Sequence, residues 1–208
     1  MSTYTSRMSS TVSKTFTKES LTVYSLKPEN VLIDSDGYIK ITDFGLSKAG
    51  IMGNQGATSI CGTPEYLAPE ILERKGHGKA VDWWTVGAIL YEMLTGFPPF
   101  YTKSREELFD NIKKIKLTLP PYFSAELTDL MMKLFKKDPN QRLGGGVRDA
   151  AELKEHPWFQ RINWDHLQRK QIMPPFTPVL KSELDLKYFD PEFIQAPIHS
   201  LEHGEPQV

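Results

Sequence analysis

The sequence predicts a mainly α domain that carries one small β-hairpin. Three observations lead there. Residues 79–95, Lys-Ala-Val-Asp-Trp-Trp-Thr-Val-Gly-Ala-Ile-Leu-Tyr-Glu-Met-Leu-Thr, are apolar around nearly the whole circumference, the mark of a helix buried on all sides. Leu127, Leu130, Met131 and Leu134 repeat at helical spacing, so a second, amphipathic helix lays a stripe on a core. Asp36-Gly37 stands between the β-formers Val31-Leu32-Ile33 and Tyr38-Ile39-Lys40-Ile41, the strongest short-range hairpin signal.

Length and composition set the frame. At 208 residues the chain is expected to form one domain with a tail, long enough for a substantial core. Hydrophobic residues make up 39% and charged ones 25%, the balance of a globular protein. The formal net charge of −1 provides no global field toward nucleic acid or anionic membrane, so neither is an expected partner. No apolar run reaches the 18 or so residues a membrane span needs, and the first residues lack a signal-peptide core. Cys61 is the single cysteine, which excludes an internal disulfide or a thiolate zinc site. A cytoplasmic location, extending to the nucleus, is the expectation.

In chain order, residues 1–22 read as a disordered leader. Eleven of the first twenty are Ser or Thr without apolar periodicity, too little surface to offset ordering entropy. The hairpin follows, and Gly50 to Gly56 is loop by composition. The helix of 79–95 ends at Gly96, and Phe97-Pro98-Pro99-Phe100 forbids its continuation. Ser104 and Glu107 spell a capping box ahead of Leu108 and Ile112. The stripe through Leu134 stops by Asp138-Pro139, and Asp149 is expected to cap a short helix before His156-Pro157-Trp158-Phe159. His77, His156, His166, His199 and His203 show no metal-ligand spacing.

The hairpin carries the chemistry. A two-residue turn at Asp36-Gly37 would set Asn30 directly opposite Asp43, with Cβ atoms roughly 4.5–5.5 Å apart. An amide oxygen and a carboxylate that close can share Mg²⁺, an ion often held by one or two protein oxygens plus substrate phosphates.

Lys27-Pro28-Glu29-Asn30 followed by Asp43-Phe44-Gly45 resembles the catalytic loop and metal-binding tripeptide of eukaryotic protein kinases. Further segments agree in order. Cys61-Gly62-Thr63-Pro64-Glu65-Tyr66 and Ala68-Pro69-Glu70 resemble the end of an activation segment. Asp82-Trp83-Trp84, Phe97-Pro98-Pro99-Phe100, Pro174-Pro175-Phe176-Thr177-Pro178 and Tyr188-Phe189-Asp190-Pro191-Glu192-Phe193 resemble AGC-group serine/threonine kinases and their C-terminal tail. The resemblance implies the kinase large lobe at 23–159, a tail at 160–208, ATP and Mg²⁺ as cofactors, and protein substrates or kinase regulators as partners. It implies Asn30 and Asp43 as metal and nucleotide ligands, Lys27 as a catalytic-loop residue and Phe189 at the adenine pocket. Glu29 and Glu92, with Thr63, would receive a serine or threonine substrate in basic context. Ser59 and Ser200 would be phosphorylation sites. Asp82 would brace the catalytic loop, and Arg142 would pair with Glu70.

Two departures temper the expected activity. Val23-Tyr24-Ser25 stands where the family reads His or Tyr, Arg, Asp, so Ser25 takes the place of the catalytic base. Losing a general base costs about 10²–10⁴ in rate. No Gly-x-Gly-x-x-Gly occurs, and the residues before the hairpin are too few and too polar for a small lobe. Three readings stay open from sequence: a truncated and inactive kinase form, a pseudokinase-like binding module competing for substrates or regulators, and a helical interaction domain.

Overall fold

The computed structural model describes residues 26–45 and 62–195. Among them the chain is helix-rich with one two-stranded antiparallel sheet. β1 (Val31–Ile33) and β2 (Ile39–Ile41) form the hairpin. The helices are α1 (Pro69–Leu72), α2 (Ala80–Thr95), α3 (Arg105–Lys114), α4 (Ala125–Leu134), α5 (Ala150–Lys154), α6 (Trp164–Gln168) and α7 (Pro191–Gln195). Short 3₁₀ turns at Pro28–Asn30, Pro64–Tyr66 and Pro157–Phe159 each begin on a proline, whose fixed φ suits a first helical position.

α2 is the axis of the core. Its residues from Ala80 to Leu90 are all buried, as the unbroken apolar circumference requires. Gly96 closes it at φ 87°, a left-handed C-cap whose N–H bonds the Glu92 carbonyl. α4 packs across α2, and a Cβ at Gly87 would sit 3.1 Å from the Leu134 Cβ. Trp84 stacks on Phe100 and meets Phe135 edge-on, with ring centroids 5.9 and 5.1 Å away. Leu127, Leu130, Met131 and Leu134 are buried on the expected face of α4.

Caps follow the sequence in part. Ser104 accepts the Glu107 N–H at 3.4 Å, but the Glu107 carboxylate takes the Thr102 hydroxyl at 2.7 Å, so only half the box forms. Asp149 does not cap α5 with its side chain. Its carboxylate instead accepts the Trp83 indole N–H at 2.7 Å and Lys79 Nζ at 3.0 Å, tying the start of α5 to α2. Arg142, 1% exposed, forks onto Glu70 at 2.6 and 2.8 Å and donates to the Ala80 carbonyl at 2.8 Å. One guanidinium thus joins α1, the start of α2 and the segment after α4. His156 is buried: Nδ1 accepts the Trp158 N–H, which leaves Nε2 to donate to Asp129 at 2.9 Å.

The hairpin register differs from the expected one by a residue. Val31 pairs with Ile41, Leu32 with Lys40 and Ile33 with Ile39, so Asn30 faces Thr42 rather than Asp43. The cause lies in the turn. A two-residue I′ turn needs φ > 0 at both central positions. Gly37 adopts φ 78° while Asp36 does not. The Asp36 carboxylate accepts the Tyr38 N–H at 3.0 Å, and the Gly37 N–H returns to the Asp34 carbonyl at 2.8 Å. Ser35-Asp36-Gly37 is therefore a three-residue loop, and the added residue shifts every facing pair.

The tail returns to this turn. Tyr38 Oη donates to the Ile172 carbonyl at 2.6 Å, Lys170 pairs with Asp36, and Pro174 and Phe176 cover Gly37. A Cβ on Gly37 would lie 2.4 Å from the Phe176 carbonyl oxygen, so the close approach needs glycine on two counts.

Candidate active site

The site is built from the Pro28–Asn30 turn and the end of β2. Lys27 precedes the turn in extended conformation and is half-buried; its carbonyl accepts the Asn30 N–H at 3.0 Å. Asn30 is 8% exposed. Its backbone carbonyl takes the Thr42 N–H at 2.9 Å and the Thr42 hydroxyl at 3.3 Å, which clamps the turn to β2.

Although Asp43 does not face Asn30 across the strands, the two side chains meet. Asp43 leaves β2 at φ 60°, a left-handed conformation that costs a non-glycine residue of order 1–3 kcal/mol. That bend carries the carboxylate back over the turn. Asn30 Nδ2 reaches Asp43 Oδ2 at 3.4 Å, and Asp43 Oδ1 accepts the Gly45 N–H at 3.2 Å. Asp43 and Phe44 are both exposed. One carboxylate and one amide oxygen are hard donors suited to Mg²⁺ that keeps phosphate and water ligands. Among the described residues no group of three or more His, Cys, Asp or Glu could hold a metal by itself. The donor set therefore fits an ion brought in by a phosphate ligand rather than a protein-only metal cage.

The acid residues expected to receive substrate converge on Tyr66. Tyr66 Oη donates to Glu92 Oε2 at 2.6 Å, and the Tyr66 carbonyl accepts the Thr85 hydroxyl at 3.1 Å. Burial, then the Glu92 carboxylate and the fields of Glu29 and Glu65, push the Tyr66 phenol well above its ordinary range. Three carboxylates thus share one neighbourhood. Thr63 opens the Pro64–Tyr66 turn and its carbonyl accepts the Tyr66 N–H at 3.1 Å. Glu29 is exposed and Glu92 half-buried, so both keep a face toward solvent.

The remaining expected residues divide. Asp82 is buried in the first turn of α2, 2% exposed. Phe189 is half-exposed in the tail, with its N–H on the Leu186 carbonyl. The adjacent Tyr188 ring packs edge-on to Phe176, which in turn covers Gly37. Ser25, Ser59, Cys61, Ser200 and the leader 1–22 lie outside the described residues. Sequence reasoning missed Tyr66, Thr42 and the Tyr38–Lys170 strap. Thr42, adjoining Asp43 and carrying a hydroxyl at a strand end, was the one with a local signal. Tyr66 and Glu92 stand 26 residues apart with no pattern joining them.

Comparison with known proteins bears on the family of the chain. The family model described as "Protein kinase domain" matches residues 2–159. RAC-beta serine/threonine-protein kinase of Homo sapiens is 50% identical over 168 residues, covering 81% of this chain and 35% of the relative. The Rattus norvegicus form gives the same identity and coverage. Ribosomal protein S6 kinase alpha-2 of Mus musculus is 50% identical over 168 residues, 81% of this chain and 23% of that protein. The chain thus spans about a third of the RAC-beta kinases and a quarter of the S6 kinase. A family match over most of the chain, together with the ordered motifs above, establishes that the chain belongs to the protein kinase family, in its AGC serine/threonine group.

Proposed function

We propose that this chain carries the metal-gripping and substrate-reading part of an ATP-dependent kinase that phosphorylates serine or threonine in basic protein contexts, with transfer weakened by Ser25. The observation that carries the reading is the approach of Asn30 to Asp43 at 3.4 Å, held by the left-handed turn at Asp43. Mg²⁺ bound there would neutralise the phosphate charge that develops during transfer. Asn30 and Asp43 would supply the two protein oxygens; the Gly45 N–H holds the Asp43 carboxylate, and Thr42 holds the Asn30 backbone. Glu29 and Glu92 give an acidic surface for a lysine or arginine of the substrate, and Lys27 lies two residues after Ser25, on the catalytic loop. The serine hydroxyl is a poor proton acceptor at neutral pH, so nucleotide binding and phosphoryl transfer separate in this chain.

Thermal denaturation with and without Mg-ATP tests the grip: a stabilisation that Asp43→Ala abolishes supports it. Absence of any shift at millimolar Mg-ATP removes it. Transfer of labelled γ-phosphate to a basic peptide at the rate of an intact kinase would sink the weakened-transfer half, whereas a gain on Ser25→Asp would support it. The second reading, a binding module that competes for kinase substrates or regulators, rests on Ser25 combined with the intact acidic surface around Tyr66. It predicts binding of a basic peptide that persists in Asp43→Ala and is lost in Glu92→Gln.

A further inference from the structure

A cavity of about 290 Å³ opens between the α3–α4 connection and the C-terminal end of α4. Its volume is near the lower end of small-molecule sites, roughly 300–1,000 Å³. Leu117 and Leu119 from the connection and Met131 and Phe135 from the α4 side make the wall apolar. Four lysines rim it, Lys114, Lys116, Lys136 and Lys137, and no carboxylate lines it.

The lysines are not equally engaged. Lys114 is paired with Asp110 at 2.8 Å. Lys137 donates to the Ile112 carbonyl at 2.5 Å and lies 4.2 Å over the Phe100 ring and 5.0 Å over Trp84. Burial, with the charge of Arg142, lowers Lys137 to about 8. Lys116 and Lys136 have no carboxylate partner among the described residues. An apolar hollow of this size, edged by cations and free of acids, complements a molecule with a hydrocarbon body and one anionic head.

We propose that this cavity binds a small amphipathic anion, an aliphatic or aromatic carboxylate whose body lies against Leu117 and Leu119 and whose head meets Lys116 and Lys136. The hydrophobic body supplies binding free energy in proportion to the area it removes from water. The lysine rim supplies the discrimination: a neutral body of the same shape gains only the first contribution, and a cation is repelled. The site is separate from the hairpin and does not depend on nucleotide binding.

Isothermal titration of the 208-residue chain with decanoate, below its micellar concentration, and with decylammonium as the opposite-charge control tests the assignment. Saturable binding of one decanoate, at least about tenfold tighter than decylammonium, is expected. The exposed pair Lys116→Glu/Lys136→Glu weakens decanoate by about tenfold or more while the circular dichroism spectrum stays unchanged. Leu119→Trp, which fills the hollow, abolishes binding; should it unfold the chain, the lysine pair decides. Equal affinity for the two amphiphiles, no effect of the double lysine variant, or no saturation would each overturn the proposal.

Discussion

The helical body and the hairpin site hold their shapes by different means. In α2, eleven consecutive residues from Ala80 to Leu90 are buried, and the conformation is over-determined by packing on every side. In the hairpin, Leu32 and Ile33 are exposed at 43% and 39%, and the strands are three residues each. Two short strands are marginal by themselves. What fixes the hairpin is a few directional contacts: the Gly37 turn, the Tyr38 and Lys170 tethers to the tail, and the Thr42 clamp on Asn30. The body is built by area, the site by turn geometry. A region of the second kind can be re-aimed by a single backbone angle, and Asp43 at φ 60° does just that.

The difference can be broken from the body side first. Arg142→Ala leaves the buried Glu70 carboxylate without its partner, an expected loss of about 3–5 kcal/mol, read by chemical denaturation. Arg142→Met with Glu70→Leu should cost clearly less, because neither charge is then stranded; equal losses would show that packing rather than charge dominates there. On the site side, Gly37→Ala must meet both a left-handed φ, about 1–2 kcal/mol, and the Phe176 carbonyl 2.4 Å away. Gly96→Ala meets the strain alone, since nothing lies within 4 Å of its missing Cβ. Gly37→Ala should therefore destabilise more than Gly96→Ala and speed amide exchange at Tyr38; identical losses would dismiss the tail strap.

A smaller effect is expected from Tyr66→Phe. It removes a hydrogen bond to a charged group, worth about 1.5–3 kcal/mol at most where burial is partial. Glu92 is released to solvent, and basic-peptide affinity should change while Mg-ATP stabilisation does not. A further effect is a pH dependence. Lys137 is lowered to about 8 in the folded chain, against about 10.4 for a free lysine. Between those values the unfolded chain binds the extra proton, so stability rises with pH across that window. Lys137→Met should flatten this rise in melts taken from pH 7.5 to 9.5; an unchanged slope would argue that the ammonium is better hydrated than its aromatic neighbours suggest.

How much could be read without coordinates varied with the range of the deciding contact. The α2 limits came within a residue, because an all-apolar circumference and a Gly96 cap are local signals. The Glu70–Arg142 partnership followed from motif resemblance, and no spacing rule would have found it. Asn30 and Asp43 are close for a reason other than the one predicted. Strand pairing was expected to bring them together, but the three-residue loop places Asn30 across from Thr42, and the bend at Asp43 restores the contact. Asp149 was read as a cap from its residue type, and the Trp83 indole and Lys79 outcompete the α5 backbone for its carboxylate.

Family, helix order and the nearness of Asn30 to Asp43 were already written in the linear order of residues, since each depends on neighbours within a few positions or on a motif read as a unit. Tertiary packing settled the rest: the register of the hairpin, the hydroxyl that engages Glu92, and the tail segment that closes over Gly37. Those choices turn on single dihedral angles and on hydrogen bonds between groups as far apart as Tyr38 and Ile172, 134 residues along the chain. No local period encodes contacts of that range, and a difference of one residue in a turn changes which side chains face each other.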